Sequence, residues 1–169
     1  ALNTELYTGD PLSLAELAKL PLTARPKAVI STSMALLPGM RAQLESAFGC
    51  PVLDIYSMNE TGPIGLAEGG AHTLLQPRLL VETLGPLGES LGLGQRGEVT
   101  LTGGFNPYLP LLRYRTGDFA ALGVRDGLPV LVDLEGRPPT TFETAAGEQI
   151  NNIDVTHALK PFAIPQFAL

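Results

Sequence analysis

Apolar positions in the first third of the chain alternate between helical and strand-like spacing. Ser13-Leu14-Ala15-Glu16 has capping-box spacing, and Leu17 and Leu20 follow on one helical face, which predicts a short helix ending before Pro21. Lys27 to Ser31 reads as a buried strand after Pro26. Pro38 to Phe48 reads as a helix, with Pro38 in its first turn, an apolar stripe of Met40, Leu44, Ala47 and Phe48, and Gly49 at its end. Pro51 to Tyr56 is the next strand. Strand, helix and strand with short joins predict a parallel βαβ unit. Ligands of open parallel sheets sit beyond the carboxyl ends of the strands, here residues 31–33 and 56–60.

The pattern changes after about residue 75. Leu79–Leu84, Gly97–Thr102, Leu111–Tyr114, Asp118–Gly123 and Val130–Leu134 are short apolar runs separated by Gly or Pro. Such runs without intervening helices predict an antiparallel sheet or a small antiparallel β-barrel, with the barrel as the expected form. Residues 136–140 read as a linker, and the remainder as a hairpin around Gly147 and a short helix over 152–159. The expected fold class is therefore α/β plus β. Residues 1–74 form the end of an α/β portion, 75–135 a barrel portion, and 136–169 a hinge with the start of a further, truncated domain.

Composition narrows the partners. The chain has 169 residues and a net charge of −6, which disfavours nonspecific nucleic-acid or anionic-membrane binding. No apolar run approaches the roughly 20 residues of a membrane helix. No secretory signal pattern is present and the first residue is Ala. A soluble cytoplasmic protein is the default expectation. One cysteine, Cys50, excludes an internal disulfide framework, and two histidines, His72 and His157, make a histidine metal cluster an unfavoured expectation.

Three segments carry candidate chemistry. Residues 111–119, Leu-Leu-Arg-Tyr-Arg-Thr-Gly-Asp-Phe, bring Arg113, Tyr114, Arg115 and Asp118 to an expected turn at Thr116-Gly117. A carboxylate can accept both hydroxyls of a ribose, and arginine forks match phosphate or carboxylate. Asp54 to Gly62 follows a parallel strand: Tyr56 offers a flat face to a base, Glu60 a hard oxygen suited to Mg²⁺, and Asn59 and Thr61 hydrogen bonds to phosphate. Asp133 to Arg137 places an arginine at a strand-to-linker joint. Each segment alone also fits a structural role: Tyr56 capping the core, Asp118 shaping a turn, Arg137 merely exposed.

In this order the segments resemble the adenylate-forming superfamily of acyl-CoA synthetases and ligases, most of all its phenylacetate–CoA ligase-like branch. The resemblance rests on Tyr56-Ser57-Met58-Asn59-Glu60 after a strand, Tyr114-Arg115-Thr116-Gly117-Asp118, and Gly136-Arg137 at a hinge. Arg25-Pro26-Lys27, residues 96–100 and residues 110–113 support it, so it runs over nearly the whole chain. It implies an ATP-dependent acid–thiol ligase. Tyr56 stacks on adenine, Glu60 binds Mg²⁺ bridging the ATP phosphates, Asp118 accepts the ribose hydroxyls, and Arg137 contacts ribose or phosphate. Ser33, Ser57, Asn59 and Thr61 line the same nucleotide site. The implied co-substrates are ATP (bound as AMP after activation), a small carboxylic acid of aryl or arylacetic type, and coenzyme A.

The chain departs from the family pattern at several points. Ser57 replaces a glycine, Asn59 replaces Thr or Ser, and Pro138-Pro139-Thr140 stands where acidic residues follow the Gly-Arg pair. The family's Ser/Thr/Gly-rich phosphate loop and its adenylating lysine have no counterpart in the sequence. The expectation is part of a longer enzyme, inactive alone, whose absent segments are partners and whose exposed apolar surface favours self-association. The alternative is a catalytically degenerate nucleotide-binding or assembly module of the same fold. A third reading, an unrelated barrel with chance motifs, predicts no parallel βαβ unit.

Overall fold

The computed structural model describes residues 5–75, 77–104, 106–137, 141–151 and 155. Residues 1–136 form one compact unit and residues 137–169 another.

The first unit opens with β1 (Leu6–Gly9), α1 (Pro11–Ala18), β2 (Ala28–Ser31), α2 (Pro38–Phe48) and β3 (Val52–Met58). β1, β2 and β3 pair in parallel, so the expected βαβ unit is present and is preceded by a second one. α1 begins earlier than the capping-box spacing predicts. Asp10 is its cap: Oδ1 accepts from the backbone N–H groups of Leu12 and Ser13 at 3.0 and 2.9 Å, and Ser13 Oγ donates to Oδ2 at 2.6 Å. Pro11 then occupies the first turn, where its missing N–H costs nothing. The helix stops at Ala18, so Leu20 lies beyond it and is exposed. α2 matches its sequence boundaries, and Gly49 closes it with a left-handed φ of 67°. Within its stripe, Leu44 and Phe48 are buried, whereas Ala47 is exposed. Leu14, Val29, Leu44, Phe48 and Val52 make the core of this half.

The antiparallel part starts well before residue 75. β4 (Gly62–Glu68) and β5 (Ala71–Leu74) follow β3 directly as a meander. β6 (Leu79–Leu84), β7 (Arg96–Gly103), β8 (Leu111–Arg125) and β9 (Leu128–Glu135) complete a nine-stranded mixed sheet in the order β1-β2-β3-β4-β5-β9-β8-β7-β6. The sheet is open between its end strands β1 and β6, so the expected barrel is corrected to the antiparallel part of an open mixed sheet. The second core is one buried cluster of Ile64 of β4, Leu79 and Val81 of β6, and Val99, Leu101, Ala120 and Leu131.

The two runs expected around a turn at Thr116-Gly117 are one strand, β8, with a bulge. Glu98 faces Phe119 and Thr100 faces Arg115, so five residues of β8, counted inclusively, oppose three of β7. Gly117 takes φ +79°, and the Thr116 hydroxyl accepts from the Asp118 N–H at 3.0 Å while donating to the Val99 carbonyl at 2.8 Å. Locally this is turn chemistry, which is why the sequence reads as a turn.

In the second unit, β10 (Thr141–Glu143) and β11 (Gln149–Asn151) pair as the hairpin expected around Gly147. Pro138-Pro139-Thr140 and, apart from Val155, the expected helix over 152–159 lie outside the described residues.

Candidate functional site

Two elements that are distant in the sheet order meet through their side chains. Tyr56 leaves β3 toward the β3–β4 hairpin, and Asp118 sits in the β8 bulge. The Tyr56 hydroxyl donates to Asp118 Oδ2 at 2.6 Å. Four residues later on the hairpin and four earlier on β8, the Tyr114 hydroxyl donates to Glu60 Oε1 at 3.1 Å. The two crosslinks are reciprocal, since each element supplies one phenol and one carboxylate. Hydrogen bonds to a charged acceptor are worth about 1.5–3 kcal/mol each. Of the expected site residues, the structure joins Tyr56 to Asp118 directly, and Glu60 to Tyr114 of the same strand as Asp118.

The bulge aims these groups. Even-numbered Thr116 and Asp118 are buried, Asp118 at 6% exposure. Odd-numbered Arg115 and Phe119 line the other side, a cleft of about 810 Å³ that also takes in Leu84, Leu91 and Glu98. That larger concavity is separate from the Tyr56–Asp118 contact. Glu98 pins the bulge from β7: Oε1 accepts from the Gly117 N–H at 3.0 Å and Oε2 from Arg115 Nε at 2.6 Å.

The two arginines offered as ligand forks both have partners within the protein. Arg115 is committed to Glu98. Arg113 holds the loop after β6 through Glu82 (3.4 Å), the Ser90 hydroxyl (3.1 Å) and the Gly88 carbonyl (3.3 Å). Carboxylates lie within reach across the strand pairing, so both cations are paired locally.

The other candidates occupy varied positions. Ser57 marks the register shift in the β3–β4 pairing, next to Tyr56. Asn59 is exposed at the hairpin tip. Thr61 is buried, and its hydroxyl donates to the Gly62 carbonyl at 3.2 Å. Ser33 is exposed just past β2, with a left-handed φ of 70° and a 3.3 Å hydroxyl contact to Thr32. Arg137 is exposed and belongs to the second unit. Gly136 ends the first unit beside Asp118: a Cβ there would lie 3.8 Å from Oδ1.

Sequence reasoning missed three supports. Tyr114 is a candidate in the sequence, but its partner is not legible there: its hydroxyl holds Glu60. Glu98 anchors the bulge. His72 of β5 meets the Tyr56 ring edge-on, with centroids 6.3 Å apart. Burial, then the Arg41 charge, lowers the His72 pKa from its ordinary 6.5, which favours the neutral ring. Arg41 donates to the Val52 carbonyl and stands 3.9 Å from Asp54, whose pKa is raised by burial against the opposing pull of that arginine.

Glu60 is a single half-buried carboxylate at the hairpin tip. Among the described residues no group of three or more His, Cys, Asp or Glu side chains is placed to hold a metal. Mg²⁺ is commonly bound by one or two carboxylates plus substrate phosphates rather than by an all-protein cage. Also among the described residues, no helix is long and apolar enough to cross a membrane.

No family model matches the chain, and no curated protein matches it in sequence. Solved structures do match its fold. An open conformation of 2-hydroxyisobutyryl-CoA ligase, in complex with 2-HIB-AMP and CoA, aligns at TM-score 0.67 and 21% identity over 94% of this chain. The luciferase-like enzyme from the mealworm Zophobas morio aligns at 0.59 and 18% over 79%. Apo MatB from Rhodopseudomonas palustris aligns at 0.58 and 20% over 86%. The chain spans 39%, 38% and 33% of these proteins, respectively. Over the aligned residues the chain shares the fold of these proteins.

Proposed function

We propose that this chain is the adenylate-binding part of an ATP-dependent carboxylate-activating ligase. The observation that carries the reading is the Tyr56–Asp118 hydrogen bond, joined to the Tyr114–Glu60 bond four residues away. Asp118 accepts the ribose hydroxyls, the Tyr56 ring stacks on adenine, and Glu60 meets Mg²⁺ on the phosphates. Asn59, Ser57, Thr61 and Ser33 border the nucleotide, and Arg137 is kept as a ribose or phosphate contact from the motif resemblance alone. Asp118 is nearly closed off and accepts from Tyr56, so nucleotide entry exchanges the phenol for a ribose hydroxyl.

Activation makes chemical sense of such a site. A carboxylate resists nucleophilic attack because more charge must enter an anion. When its oxygen attacks the α-phosphorus of ATP, the bond to the bridging oxygen breaks and pyrophosphate leaves. The resulting acyl-adenylate has AMP as a good leaving group, and a thiol such as that of coenzyme A displaces it. Bringing two anions together calls for the metal and for preorganised donors. The 2-hydroxyisobutyryl-CoA ligase neighbour, whose structure contains an AMP adduct and CoA, supports this class of reaction. The acid is proposed as aryl or arylacetic from the branch resembled.

Titration of the chain with AMP tests the reading. We expect binding that Asp118→Asn weakens about 10- to 100-fold, the equivalent of about 1.5–3 kcal/mol lost at a charged acceptor. Equal AMP affinity in both proteins overturns it. The 169-residue chain is expected to show no carboxylate-dependent ATP–pyrophosphate exchange. Measurable exchange refutes that part of the reading.

A further inference from the structure

We propose that Tyr114 is a positioning residue that sets the Glu60 carboxylate for Mg²⁺-bound phosphate, a role that rests on the adenylate-binding reading. Glu60 lies at a hairpin tip, half-buried, where a glutamate side chain ordinarily samples several rotamers. The Tyr114 hydroxyl, 3.1 Å from Oε1, restrains that freedom from a different strand. Tyr114 is itself fixed: its backbone stands opposite Leu101 of β7, a fully buried core residue. One carboxylate oxygen is therefore tied to the sheet, and the orientation of the other follows from it.

The reciprocal spacing gives the arrangement a direction. Tyr56 and Glu60 are four residues apart on the hairpin, and Asp118 and Tyr114 are four apart on β8. The sugar-binding end and the metal-facing end are thus held by the same pair of elements. Their separation is at most roughly 13 Å at 3.3 Å per strand residue. Outer-shell partners that orient a metal-facing carboxylate typically change metal affinity 10- to 100-fold when removed. Tyr114 stands in that relation to Glu60, and it adds no charge of its own.

Calorimetric titration with AMP, with ATP in EDTA and with ATP plus Mg²⁺ separates the two ends. In the wild-type chain Mg²⁺ is expected to strengthen ATP binding. Tyr114→Phe is expected to leave AMP affinity within about twofold and to reduce the Mg²⁺-dependent gain at least about tenfold. Tyr114→Gln, which restores a donor, is expected to recover part of the gain. It also serves as the second variant should the phenylalanine protein fail to fold. AMP binding without any Mg²⁺ gain in the wild type overturns the proposal while leaving the adenylate reading intact. So does a full Mg²⁺ gain in Tyr114→Phe, or equal loss of AMP and Mg²⁺-ATP binding. Failure of the wild type to bind AMP overturns the adenylate reading and this proposal together.

Discussion

The two halves of the first unit solve different problems with the same strand. The α/β half packs helices α1 and α2 on parallel strands around Leu14, Val29, Leu44, Phe48 and Val52, and its order follows from hydrophobic burial. The antiparallel half buries its own core but spends its polar residues on shape: Glu98 pins a bulge, Thr116 caps it, and Asp118 is delivered inward. β3 belongs to both, pairing with β2 on one edge and β4 on the other. The parallel half therefore fixes where Tyr56 and Glu60 emerge, and the antiparallel half fixes what they meet.

The comparison breaks most sharply at Phe48. It is nearly fully buried and meets Tyr7 edge-on, with centroids 5.7 Å apart. Phe48→Ala is expected to cost about 3–5 kcal/mol, read from urea denaturation. Because β3 is shared, the helical circular-dichroism signal and the near-ultraviolet tyrosine signal should be lost together. A tyrosine signal that outlasts the helices would show the halves to be independent.

A smaller, sharper contrast comes from two glycines with nearly the same backbone. Gly49 ends α2 at φ 67°, and Gly117 forms the bulge at φ 79°. A Cβ on Gly49 would meet nothing within 4 Å. Alanine at a left-handed position costs about 1–2 kcal/mol, so both variants should lose that stability. Only Gly117→Ala is expected to weaken AMP binding, because only its strain is next to Asp118. Equal AMP affinity in the two variants would mean that the bulge does not position the carboxylate.

The same contrast explains what the sequence made legible. Pro38 and Gly49 delimit α2, and the βαβ unit follows from apolar spacing, because local chemistry decides both. Residues 56, 60 and 118 could be grouped through a motif resemblance. The hidden features depend on pairing between distant strands. No local signal distinguishes a bulge at Thr116-Gly117 from a turn, since the hydroxyl and glycine chemistry are the same. Nothing local reveals that Arg115 has Glu98 opposite it, or that Gly62–Glu68 continues the sheet when its glycines and Pro63 read as loop. The Asp10 cap shows the converse case: two acceptable caps lay three residues apart, and the Asp carboxylate beside Pro11 started the helix first.

The smallest expected effect lies where the halves join. His72 packs edge-on to Tyr56 with a pKa lowered chiefly by burial and further by Arg41. The unfolded chain takes up a proton near the ordinary value of 6.5 before the folded chain does. Stability from this group is therefore complete above pH 6.5 and is lost as pH falls from there toward the lowered folded value. Asp54, with its raised pKa, acts in the opposite sense: its penalty is absent below 3.8 and grows as pH rises through the folded value. The windows begin at 6.5 and 3.8 and run toward each other, so titrations of His72→Phe and Asp54→Asn separate them. His72→Phe keeps a ring against Tyr56 and should flatten the loss below pH 6.5, read as the midpoint of thermal unfolding at successive pH values. An unchanged pH profile would mean that the imidazole is no more shielded in the folded chain than in the unfolded one.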